Sequence, residues 1–70
     1  MPNTYTVIMK KDGDWWIGWI EEIPGVNCQE KTREGLLETL RITLKEALEI
    51  NREEAIAAAS QNFMEEKLVI

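Results

Sequence analysis

Seventy residues carry eight basic and thirteen acidic side chains, a net charge of −5, one cysteine and no histidine. A single cysteine excludes an internal disulfide, and without histidine a metal site would need oxygen ligands and catalysis would rest on carboxylates, lysines or one thiol. The negative balance repels a phosphate backbone, which disfavours direct nucleic-acid binding, but it suits encounter with a basic protein.

A chain of this length makes one domain, spanning residues 1–70, and buries only about 60% of the surface its unfolded form exposes. With disulfide and metal set aside, homo-oligomerisation to a dimer or tetramer is the expected source of extra stability. No apolar run approaches the roughly 18 residues of a membrane span, and no charged-then-apolar signal pattern opens the chain. The expected location is the cytoplasm, with no membrane partner.

The first elements read as a β-hairpin. Thr4–Met9 (TYTVIM) and Trp15–Ile20 (WWIGWI) are rich in β-branched and aromatic residues and are joined by KDGD. A type I′ turn centred on Asp12-Gly13 sets Lys11 opposite Asp14 and puts the pairs Met9–Trp16, Val7–Gly18 and Tyr5–Ile20 on one face. Gly18 marks that face as the core, because a missing side chain lets a helix approach the sheet. Ile8, Trp15, Ile17 and Trp19 are left on the other face as an apolar cluster of the kind that marks a contact surface. A slipped register or a bulge is the alternative, and it would redistribute these residues.

Pro24-Gly25 signals a turn, and Val26–Gln29 is a candidate short third strand. Leu36, Leu37, Leu40, Leu44, Ala47 and Leu48 then fall within an arc of about 120° at helical spacing, which predicts a helix over 33–50. Thr32 is its expected N-cap, with Glu34 in the first turn. Asn51-Arg52-Glu53-Glu54 has the form of a capping box, so a second helix is expected from there to Ser60 or Gln61, with one continuous helix as the alternative. Lys67–Ile70 is β-prone and suited to the edge of the hairpin. The fold expected is α+β: a three- to four-stranded, mostly antiparallel sheet packed on one or two helices, in the order β-β-(β)-α-α-β.

Little in the chain carries chemistry. Asp12 and Asp14 read as turn formers, since no acidic ligand follows them at calcium-loop spacing. Glu21 and Glu22 are adjacent, and neighbours on a strand point to opposite faces. Cys28 has no C-x-x-C partner and reads as a small buried hydrophobe. EKTREG lacks the glycine spacing of a phosphate loop. No catalytic, cofactor-binding or metal residue is assigned, and the chain reads as no enzyme.

The stretch WWIGWIEEIPGVNCQEKTREGLLETLRITLKEALEI resembles the HicB-like antitoxin family, whose members show an aromatic strand, a Pro-Gly turn, a threonine helix cap and a leucine-rich helix in that order. With Tyr5-Thr6-Val7 and Asp12-Gly13-Asp14, the resemblance covers roughly two thirds of the chain and loosens after Asn51. Two positions depart from the family pattern: Glu30 stands where a glycine is usual, and Gly35 where a second acidic residue is usual, which removes a capping-box partner for Thr32.

The resemblance implies an incomplete RNase H-like fold without nuclease activity. It also implies an antitoxin that neutralises a HicA-like mRNA interferase toxin, a small basic protein, by covering its active surface. Longer members add a DNA-binding module, and no basic recognition segment follows here, so operator binding is not expected. The residues expected at the partner contact are Ile8, Trp15, Ile17 and Trp19, with Glu21 and Glu22 as acidic complement. The competing expectation is an orphan homo-oligomeric scaffold or regulatory domain that uses the same face to join identical copies.

Overall fold

The computed structural model describes residues 4–70. Three strands, β1 (Val7–Asp12), β2 (Trp15–Ile20) and β3 (Asn27–Glu30), form an antiparallel meander in the order β1-β2-β3, and one helix, α1 (Arg33–Ala59), packs on it. The architecture is thus α+β with the order β-β-β-α.

The hairpin turn differs from the sequence expectation. Val7 pairs with Ile20, Met9 with Gly18 and Asp12 with Trp15, so Gly13 and Asp14 are the central residues. Gly13 has φ +63° while Asp14 does not enter the left-handed region, the pattern of a type II′ turn. A type I′ turn on Asp12-Gly13 would have forced Asp12 to positive φ as well; placing glycine first removes that cost. The register is displaced by two residues from the expected one. An even displacement keeps every side chain on its face, so the expected division of the hairpin survives.

Gly18 explains how the helix seats. A Cβ there would lie 3.0 Å from Leu36 Cδ2 and 3.0 Å from the Ile8 carbonyl oxygen, so only glycine permits this approach. Leu36 and Leu40 are fully buried against β2 and, with Ile20 and Val26, form the core; Val7, Met9, Trp16, Cys28, Leu44 and Ala47 pack around it. Val26 precedes β3, and its carbonyl accepts from the Ile20 amide at 3.1 Å, closing the loop through Gly25 at φ +91°.

Thr32 caps α1: its Oγ1 accepts from the Gly35 amide at 2.9 Å, and Glu34 occupies the first turn. Thr39 Oγ1 donates to Glu30 at 2.8 Å and ties the first half of the helix to β3. Thr32→Ala should lower stability by about 1 kcal/mol without altering the fold. A shifted urea midpoint with an unchanged slope would report it.

Beyond residue 50 two expectations are corrected. Asn51–Glu54 lies inside α1 and starts no second helix, because the 27-residue helix runs unbroken. After Gly35 in the first turn no glycine or proline interrupts it, and the Ala, Glu and Arg that follow Asn51 are strong helix formers. Lys67–Ile70 forms no strand. The reason is one of reach. Helix–sheet packing ends near Leu44 and Ala47, whereas a helix of this length extends about 40 Å, roughly twice a six-residue strand. The molecule is accordingly 51 Å long. α1 ends where the Ser60 amide donates to the Ile56 carbonyl at 3.1 Å. Ser60 and Asn62 take positive φ, and Phe63–Glu65 folds back beside Arg52, Ala55, Ile56 and Ala59 around a hollow of about 370 Å³. The Arg52–Glu65 ion pair at 2.8 Å fastens this return. Among the described residues no helix is long and apolar enough to cross a membrane.

Candidate protein-binding face

Alternation along the strands gives the sheet two faces, and α1 covers one. On the other, β2 presents Trp15, Ile17 and Trp19 in a row. Opposite them in register stand Asp12, Lys10 and Ile8 on β1, with Gln29 beside Ile17 and Asn27 beside Trp19 on β3. Nothing among the described residues covers this face. Ile8, Trp15 and Trp19 retain 37, 39 and 40% of their accessible surface, and Ile17 is half-buried between its neighbours. Two exposed tryptophans flanking an isoleucine on a rigid central strand form a preorganised apolar patch, the composition of an interface centre.

The structure therefore brings Ile8, Trp15, Ile17 and Trp19 together as the sequence predicts. The two acidic positions, Glu21 and Glu22, are both exposed. Glu21 is exposed just past β2, its amide donating to the Thr6 carbonyl at 2.9 Å. Glu22 is held in place through both its carboxylate oxygens, which accept from the Thr6 hydroxyl at 2.6 Å and the Thr6 amide at 2.8 Å. These bonds favour the charged carboxylate and hold it below its ordinary value of 4.5. Since the folded value is depressed, the lock is complete above the ordinary carboxylate range and is lost as pH falls through the lowered value. The Thr6 amide resonance should then titrate with a midpoint below 4.5, and Glu22→Gln should abolish that titration.

Sequence reasoning missed the basic flank. Lys31 Nζ lies 4.4 Å from the Trp15 ring centroid, a cation–π contact worth about 0.5–1 kcal/mol at an exposed site that also fixes the indole. Extending the β2–β3 ladder one step past Trp16↔Glu30 would have placed Lys31 beside Trp15. Lys10 lies across from Ile17. The patch is thus apolar with two cations and Asp12 at its border, while most carboxylates lie on α1 and the tail. Glu21 continues the alternation of Trp15, Ile17 and Trp19 past the end of β2 and adds a carboxylate at the same side of the sheet.

Among the described residues no three His, Cys, Asp or Glu side chains come together as metal ligands. Cys28 is half-buried between sheet and helix, with its Sγ 3.5 Å from Thr43 Oγ1. The arrangement offers a surface for a macromolecule. In comparisons with known proteins, no family model, no curated protein and no solved structure matches the chain.

Proposed function

We propose that this chain is a protein-binding domain of the HicB-like antitoxin type, built on an incomplete RNase H-like sheet and acting on a HicA-like mRNA interferase through its open sheet face. The observation that carries the reading is the uncovered row Trp15–Ile17–Trp19 with Ile8 beside it. An apolar patch of this kind gains affinity by leaving water, and the net negative charge steers a basic partner toward it. Masking the toxin's active surface requires no catalytic group in this chain and no contact with nucleic acid. mRNA cleavage by such a toxin occurs in the cytoplasm, which is where the reading places the complex.

Purified HicA-like toxin should lose RNA cleavage on addition of an equal amount of this chain. Unchanged cleavage at excess chain would remove the reading. A second reading, the homo-oligomeric scaffold, draws on the mixed charge of the patch border: Lys31 and Asp12 flank Trp15 from opposite sides, so two patches facing each other can pair unlike charges.

A further inference from the structure

The helix does not cover the sheet evenly. α1 lies closest to β2 and β3, and β1 meets it only through side chains such as Val7 and Met9. The inner side of β1 therefore borders an apolar groove of about 300 Å³ lined by Tyr5, Val7, Leu37, Leu40, Arg41 and Leu44. The outer edge of β1 is unpaired among the described residues, so an open strand edge runs along an open apolar groove. That combination accepts an added strand: backbone groups pair with the edge while alternate side chains fill the groove.

The same chain carries a segment of the matching kind. Leu68, Val69 and Ile70 are 86, 72 and 111% exposed, and in an extended conformation Leu68 and Ile70 point to one side. They do not fit their own groove as a strand. α1 starts at the turn end of the sheet and runs toward the Tyr5 end, so the tail must first recross the overhang. Glu65 is fastened to Arg52, about 12 Å along the helix from Leu44. With that pair made, covering the distance at about 3.3 Å per residue takes most of Glu66–Ile70 and leaves about one residue to enter the groove. A second molecule has no such limit.

We propose that two copies associate by reciprocal strand exchange, Lys67–Ile70 of each adding to the β1 edge of the other, with Leu68 and Ile70 in the groove between Val7 and Leu44. Each copy supplies one strand and one edge, so the exchange closes about a twofold axis and leaves none over. Charge agrees: Arg41 at the groove has no ion-pair partner among the described residues, and Glu66 precedes the incoming segment. This contact leaves the Trp15–Trp19 face free and does not depend on the antitoxin reading.

Light scattering on the full chain tests it. The wild type should have the mass of two 8.1 kDa chains. Leu68→Asp combined with Ile70→Asp should halve that mass with an unchanged circular dichroism spectrum, since both residues are exposed in the single copy. Trp15→Ser with Trp19→Ser should remain at two chains. A wild type of one chain, or a dimer that persists in the Leu68→Asp/Ile70→Asp variant, overturns the proposal, and a dimer lost only in the tryptophan variant reassigns self-association to the open sheet face.

Discussion

Leu36→Ala is expected to bring the folded state close to equality with the unfolded one. Leu36 is wholly buried, seated on Gly18 and in the same small core as Leu40, Ile20 and Val26. Truncating a buried leucine costs about 2–5 kcal/mol through lost transfer energy and the cavity left behind. A core in a domain this small supplies no more than about 3–5 kcal/mol of net stability. Gly18 cannot relax inward to fill the space, because it has no side chain, and the sheet backbone is held by its ladder to β1 and β3. Urea unfolding followed by circular dichroism checks the result. A loss below about 1 kcal/mol would mean that the helix is not seated on Gly18 as described.

Trp15→Ser together with Trp19→Ser should have the opposite profile, with the fold retained and partner binding lost. Both indoles stand on the sheet face away from the core, and neither belongs to the buried cluster. Tryptophans at the centre of an interface each contribute about 2 kcal/mol or more, so the double change should weaken binding by about a thousandfold. Losing the Trp15–Lys31 contact costs stability only on the scale of an exposed cation–π pair. If the variant unfolds, these residues support the fold and are not a docking surface.

The two variants separate the parts of the fold that were legible in the sequence from those that were not. The partition of the hairpin into core and open faces could be read from Gly18 and the two tryptophans, and it survived an error in the turn because strand periodicity is two. The turn itself depended on which side of Gly13 the positive φ would be shared, and local residue preference does not settle that. Thr32 and the leucine stripe located the start of α1, since capping and periodicity are local signals. Its end was not local in this sense. Asn51–Glu54 can open a helix, but it sits within one when nothing nearby breaks the chain. Lys67–Ile70 has strand propensity, but a strand needs an edge within reach, and the return made at Arg52–Glu65 keeps the tail beside the overhang of α1. At the candidate site, the apolar residues were legible one by one. The engagement of Glu22 by Thr6 and the position of Lys31 over Trp15 depend on chain pairing and emerge only in the folded molecule.

If the Trp15–Ile17–Trp19 face binds a protein partner, the two tryptophans decide what the chain recovers. The most direct measurement is affinity purification from native cells of two tagged chains, the wild type and the Trp15→Ser/Trp19→Ser variant, each confirmed folded, with mass spectrometry of what co-purifies. A small basic protein should be recovered in equal amount with the wild type and not with the variant, and its RNA cleavage should stop when the wild-type chain is added. Recovery of the same protein with both chains, or of neither chain with any partner, would contradict binding through this face.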